Sequence, residues 1–253
     1  GVTSEPEEGE YYPPGTPNVW SIMSYAPQLD LIYAPTGNAN PDWFGGERRP
    51  FDEEWSAAIV ALDGATGTPA WKYQTVHHDI WDYDVPAQPV LVDVDHEGER
   101  IPSVAVPTKR GEIFLLDRRD GTPVHPIEER DVPQVEIAGD YLSPTQPFSS
   151  LPNFRPYRHE KDMWGLTPLD QLLCRIEYQM MHYEGHMTPP TPGGSLYYPA
   201  NFGGFNWGSV SVDADNGLLL AAPMMLASRL MLVTPAQVAE AGPRAALMLG
   251  PDL

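Results

Sequence analysis

The stretches ALDGATGTPAW (61–71) and LLDRRDGTPVH (115–125) follow one plan: an apolar pair, Asp, two residues, Thr or Asp, then Gly-Thr-Pro. SVDADNGLLL (211–220) is a looser third copy. Each copy predicts a strand ending in an Asp-capped tight turn, with Gly taking a positive φ before the next strand returns. Repeated units of this kind, with a recurring Trp, predict four-stranded antiparallel blades stacked radially into a β-propeller, which leaves only short edges exposed. A β-sandwich fits the same turn spacing and stays open at this point.

Punctuation by 29 Pro and 22 Gly leaves little room for long helices. The apolar runs between them are short and rich in β-branched or aromatic residues, which predicts strands over 29–35, 56–63, 69–76, 88–95, 102–108, 111–117, 208–213 and 217–223. One segment departs from this. In 167–183, Thr167 can cap, Pro168 can open a helix, and Leu169, Leu172, Leu173, Ile176 and Met180 form an apolar stripe. It predicts one short helix laid across the sheets. Cys174, the single cysteine, sits beside that stripe and reads as inert; it also rules out an internal disulfide framework.

With 253 residues the chain can bury one large β domain or two smaller ones. A formal charge of -20, from 15 Lys+Arg against 35 Asp+Glu, argues against nucleic acid or an anionic membrane surface as partner and suits a small, neutral or weakly charged substrate. The most apolar stretch, LLLAAPMMLASRLMLV (218–233), is too short for a membrane span and carries Pro223 and Arg229. It reads as a buried strand plus helix.

Titratable groups concentrate in QTVHHDIWDYDVPAQP (74–89). If 76–84 is extended, His78, Ile80, Asp82 and Asp84 share one face and His77, Asp79, Trp81 and Tyr83 the other. Neither face then offers three ligands at zinc spacing. The alternation also predicts that Asp79→Asn is far milder than Asp82→Asn. On composition alone, a loop whose aspartates cap turns is the competing reading.

The same stretch, followed by VPTKRGEIFLLDRRDGTPV (106–124), resembles the quinoprotein dehydrogenases that use pyrroloquinoline quinone (PQQ), in particular the membrane-bound glucose/quinate/shikimate branch. The likeness continues through 139–156, 161–190 and FNWGSVSVDADNG (205–217), and so covers nearly the whole chain. The resemblance implies that Asp82 of the Trp81-Asp82 pair is the general base. It implies that Lys109 contacts the quinone oxygens, that Trp20 stacks on the quinone plane, and that Asn206 and Trp207 face the cofactor. Asn38 and Asp82 are the implied ligands of Ca²⁺ or Mg²⁺. These roles suit the residue types: a carboxylate can accept the alcohol proton, an ammonium can stabilise a developing oxyanion, and a hard cation seeks oxygen donors. His77 and His78 either orient the loop, contact substrate, or are structural; the polar loop 40–50, with its aromatics, lies near the implied mouth.

By the same resemblance the fold is all-β, a fragment of an eight-bladed propeller. Residues 1–253 are its central part, without the membrane anchor and terminal blades. The implied activity is oxidation of a sugar or cyclic polyol of glucose type, with hydride passing to PQQ and electrons on to ubiquinone. The implied location is the periplasmic face of the bacterial inner membrane. Quinate or shikimate dehydrogenation is the alternative within the class, and a non-catalytic propeller scaffold the alternative outside it.

Overall fold

A computed structural model describes residues 17–241. Its first sheet is a complete four-stranded antiparallel blade in sequence order: β1 (Ser24–Ala26), β2 (Leu31–Pro35), β3 (Ala58–Asp63) and β4 (Pro69–Gln74). The second joins β5 (Val90–His96), β6 (Glu99–Pro107) and β7 (Ile113–Asp117). Smaller antiparallel pairs follow: β8 (Ile127–Asp131) with β9 (Thr145–Ser149), β10 (Ser195–Tyr197) with β13 (Ser228–Leu230), and β11 (Val210–Asp213) with β12 (Leu218–Ala221). Each strand predicted from the apolar runs is present. Five short ones, β1, β8, β9, β10 and β13, carried no such signal, being three to five residues long and partly polar.

The repeated turns behave as their chemistry dictates. Asp63 Oδ1 accepts the Thr66 N–H at 2.8 Å, and the Gly67 N–H donates to the Asp63 carbonyl at 2.8 Å. The second copy repeats this, with Gly121 N–H donating to the Asp117 carbonyl at 2.8 Å; in the third, Asn216 N–H donates to Asp213 Oδ1 at 3.1 Å. Gly67, Gly121 and Gly217 all take positive φ, at 73°, 78° and 65°. Between the first two blades this turn also receives a side chain. The Trp71 indole donates to the Arg118 carbonyl at 3.3 Å, and a Cβ built on Gly121 would lie 2.6 Å from the indole ring. Tyr33 donates to the same carbonyl at 2.7 Å. The main core lies between these sheets, with Tyr33, Ile59, Val104, Val106, Phe114 and Leu116 fully buried.

Two expectations are corrected. The helix forms as α2 (Pro168–Met180), its Thr167 hydroxyl accepting the Asp170 N–H at 3.2 Å, but none of its residues is buried. Its stripe faces outward, with Leu169 73 % and Met180 68 % exposed. The helix is held instead at its polar side, where Arg175 and Gln179 grip Glu160 at 2.6 Å each. The stretch 218–233 is not a buried strand plus helix: it forms β12 and β13, and Leu218, Leu220 and Met225 are more than half exposed. Among the described residues strand β12 pairs with β11 alone, and Pro223 ends the run. The other helices, α1 (Pro50–Trp55) and α3 (Pro235–Ala241), are short.

Gly121→Ala places a methyl group against Trp71 at a positive φ. It is expected to destabilise the full-length protein by about 1–3 kcal/mol, read as a lowered urea midpoint, whereas Gly67→Ala, with open space around its Cβ, loses only the backbone part.

Candidate active site

The strands run so that one end of the sheets collects a set of loops: the approach to β1, the β2–β3 and β6–β7 connections, the segment after β4, and the approach to β11. Main-chain hydrogen bonds tie these loops sideways. Val85 N–H donates to the Thr36 carbonyl at 3.2 Å, Lys109 N–H to the Asp84 carbonyl at 3.1 Å, and Gly204 N–H to the Lys109 carbonyl at 2.6 Å.

On this scaffold the Lys109 ammonium sits between two carboxylates, 2.7 Å from Asp82 Oδ1 and 2.9 Å from Asp84 Oδ2. All three side chains are largely buried. Asp84 does more: its Oδ2 also accepts the Trp20 indole N–H at 3.1 Å, and its Oδ1 accepts the Asn38 main-chain N–H. One carboxylate therefore fastens four segments together. Gly203, at φ 75°, allows its loop to lie against Lys109; a Cβ there would come within 2.6 Å of the lysine's own Cα and Cβ.

Burial drives the Asp82 carboxyl well above the usual carboxylate range, the like charge of Asp84 adds to this, and Lys109 opposes it. Burial would lower the Lys109 ammonium, but the two aspartates outweigh it and raise its pKa. Beside this ionic group two indoles meet at 5.9 Å between ring centroids, Trp20 being 37 % and Trp207 71 % exposed. The Lys109 nitrogen lies 5.6 Å from the Trp20 ring centre.

The structure thus brings Trp20, Asp82, Lys109 and Trp207 to one place. Asn38 reaches it through its main chain, while its side-chain Oδ1 accepts from Ala39 N–H at 2.8 Å and from the Ser56 hydroxyl at 3.3 Å. Asn206 lies on the neighbouring loop, but its amide is spent locally, donating to the Phe202 carbonyl and accepting the Trp207 N–H. Among the described residues no group of three or more His, Cys, Asp or Glu side chains is arranged to hold a metal ion.

The segment 76–84 is not a strand. His78 and Asp82 take positive φ, 45° and 54°, and the chain turns repeatedly, so strict alternation fails. It holds locally, in that Asp82 and Asp84 do share Lys109; that shared face was the sequence signal by which Asp84 was open to detection. His78 belongs to a structural ion cluster: its Nε2 lies 2.8 Å from Asp140, its Nδ1 3.2 Å from Glu53, and its ring stacks on Tyr141 at 3.7 Å. Burial would lower its pKa, but hydrogen bonds to Asp140 and Glu53 outweigh this and raise it to about 9. His77 pairs with Gln74 and Glu129 at 3.0 Å each.

These features define a propeller-type β protein whose blade-end loops assemble an aspartate–lysine–aspartate cluster under two open indoles. The family model described as "PQQ: Glucose/ethanol/alcohol dehydrogenase, beta-propeller domain" matches residues 1–248. The chain is 48% identical over 213 residues to quinoprotein glucose dehydrogenase of Escherichia coli, covering 83% of this chain and 27% of that protein. It is 46% identical to the glycerol dehydrogenase large subunit of Gluconobacter oxydans, covering 86% and 30%. To a probable quinate dehydrogenase (quinone) of Xanthomonas campestris it is 41% identical, covering 87% and 28%. A quinohemoprotein alcohol dehydrogenase from Pseudomonas putida shares the fold, with TM-score 0.57 at 20% identity over 88% of this chain and 28% of that one. This chain belongs to the PQQ-dependent quinoprotein dehydrogenase family, and it spans about three-tenths of the length of the curated relatives.

Two outcomes are expected. Asp84→Asn turns one acceptor into a donor facing Lys109, Trp20 or the Asn38 N–H, and should lower unfolding stability by about 2 kcal/mol, measured by urea denaturation. The stabilisation from His78 is complete below its ordinary pKa of 6.5 and is lost as pH rises through about 9. The melting-temperature advantage of wild type over His78→Gln should therefore be present at about pH 6 and vanish by about pH 10.

Proposed function

We propose that the protein oxidises an alcohol group of a sugar or cyclic polyol with bound PQQ, and that Asp82 is the general base. The observation that carries this reading is the buried Asp82–Lys109 pair, 2.7 Å apart, opening beside the exposed faces of Trp20 and Trp207. Those residues fit a flat quinone bearing acceptor oxygens. An indole face suits a planar ring system, and Lys109, with three N–H donors of which two reach Asp82 and Asp84, has one left for an acceptor. PQQ, when bound, supplies the two-electron acceptor for the hydrogen leaving the alcohol carbon.

The chain's own residues do the rest. Asp82 takes the hydroxyl proton, its carboxylate being fixed 2.7 Å from the Lys109 ammonium. Lys109 holds positive charge where negative charge develops, and Asp84 fixes the ammonium in place. Trp20, Lys109 and Trp207 would hold the cofactor, with Asn206 ordering the Trp207 loop. A hard cation, Ca²⁺ or Mg²⁺, would take oxygen donors of the Asp82 and Asn38 type, the Asn38 Oδ1 here accepting from Ala39 N–H and the Ser56 hydroxyl.

Relatives named for glucose and glycerol support a neutral sugar or polyol as substrate. Relatives named for quinate and shikimate support those acids as the alternative, and the word quinone in their names supports ubiquinone as the final electron acceptor. We place such an enzyme at the periplasmic face of the bacterial inner membrane and read this chain as the central part of its propeller. Among the described residues no helix is long and apolar enough to cross a membrane.

The test uses the full-length protein loaded with PQQ and Ca²⁺ and assayed with glucose, glycerol and quinate. Turnover on one of them is expected, and Asp82→Asn should lower kcat by about 10²- to 10⁴-fold while PQQ affinity is retained. Absence of turnover on all three, or near-normal kcat in Asp82→Asn, overturns the reading.

A further inference from the structure

Asp79 is wholly buried, and both of its oxygens are taken by main-chain N–H groups: Trp81 at 2.9 Å from Oδ1 and Tyr83 at 2.7 Å from Oδ2. Those two residues flank Asp82. A non-glycine residue at φ 54° is in a sparsely populated conformation, and it persists only where its surroundings over-determine it. Here they do. The Trp81 carbonyl accepts the Tyr197 hydroxyl, the Trp81 indole donates to the Thr188 carbonyl at 2.8 Å, and the Tyr83 hydroxyl donates to the Pro199 carbonyl at 3.0 Å. The Trp81 and Tyr83 rings lie nearly parallel, 6.4 Å apart and both fully buried, while the residue between them reaches Lys109.

We propose that Asp79, with Tyr197 closing the clamp on the peptide between the two that Asp79 holds, is a positioning residue that holds Asp82 in its left-handed conformation with its carboxylate on Lys109. The chemistry requires a carboxylate at this position. Two N–H groups converge on one side chain, and only a group with two acceptor oxygens and no donor satisfies both. An amide of the same shape meets one of them with its NH₂ and breaks one arm. Alternation along a strand would have made Asp79 irrelevant to Asp82; the turn makes the two interdependent. Asp79 makes no hydrogen bond or ion pair to Lys109 or Asp82: its bonds run to the loop's own main chain, and its charge also feels that of Asp84.

The inference rests on Asp82 being the reacting base, so its test has one arm without turnover. In the cofactor-free full-length protein, Asp79→Asn should raise amide hydrogen exchange of residues 80–84 by about tenfold or more, with β3 and β7 unchanged. In the PQQ-loaded protein kcat should fall about 10- to 100-fold, as for a base displaced by an ångström, with KM and PQQ affinity within about twofold. Unchanged exchange at 80–84, or unchanged kcat, overturns the proposal. So does a uniform rise across β3 and β7 with loss of PQQ affinity, which marks a merely structural role. If the wild-type protein shows no turnover, the functional reading fails by itself, and local exchange at 80–84 still decides the clamp. If Asp79→Asn does not fold, Tyr197→Phe opens the other side of the clamp. Faster exchange at 80–84 with a several-fold drop in kcat is then expected, and no change overturns the proposal.

Discussion

A single ammonium held between two carboxylates organises this end of the molecule. Lys109, Asp82 and Asp84 take three charges out of water together, which is tolerable because both carboxylates pair with the lysine and Asp84 accepts two further hydrogen bonds. The lysine alone does not balance two aspartates, and the remaining negative charge is met by dipoles: the Trp20 indole N–H and the Asn38 main-chain N–H both point at Asp84. The consequence is geometric as well as electrostatic. Residues 20, 38, 84 and 109 belong to different loops, and the carboxylate of Asp84 is where they meet. The sideways main-chain bonds from Val85 to Thr36, Lys109 to Asp84 and Gly204 to Lys109 complete the belt.

The segment that carries Asp82 is built in an unusual way for a β protein. It leaves β4 and, instead of continuing as a strand, turns through two non-glycine residues with positive φ. Its order comes from buried polar anchors: Gln146 exchanges hydrogen bonds with the main chain of His77, His78 is gripped by Asp140 and Glu53, and Asp79 gathers the N–H groups beyond it. The histidines and aspartates crowded into 74–89 therefore divide between two tasks. His77, His78 and Asp79 shape the loop, and Asp82 and Asp84 face the lysine. The exposed indoles of Trp20 and Trp207 form the wetter side of this arrangement, and the core residues Trp81, Tyr83 and Tyr197 are its dry side.

Much of the fold was legible because its signals are local. The Asp-x-x-(Thr/Asp)-Gly turns at 63–67 and 117–121 dictate their own geometry, since only Gly takes the positive φ without strain and Asp reaches the following N–H groups. The apolar runs of β2, β3, β5, β6 and β7 announce strands for the same reason. The α2 stripe shows where local reasoning stops. Capping and periodicity produced the helix, but neither states what the stripe will face, and here it faces away from the sheets. Leu218 and Leu220 repeat the lesson on β12: the apolar run announces the strand but not what covers it, and both are more than half exposed.

For the site, the amino-acid sequence by itself determined the inventory: a Trp81-Asp82 pair, a lysine in a tight β6–β7 turn, indoles at 20 and 207, and a likeness to quinoprotein dehydrogenases running through all of them. Chemical identity and local turn type are properties of neighbouring residues, so they can be read along the chain. Tertiary structure alone decided that Asp84 is the common anchor, that Asn38 serves it through a main-chain N–H, that Asn206 spends its amide on its own loop, and that Asp79 supports Asp82 instead of opposing it. Asn206 folds back on residues four and one away, while the support from Asp79 depends on the φ reversals around it and the anchoring by Asp84 on contacts with residues 64 and 46 positions away. Such contacts are fixed by where the blades bring their loops, which no short window of sequence contains.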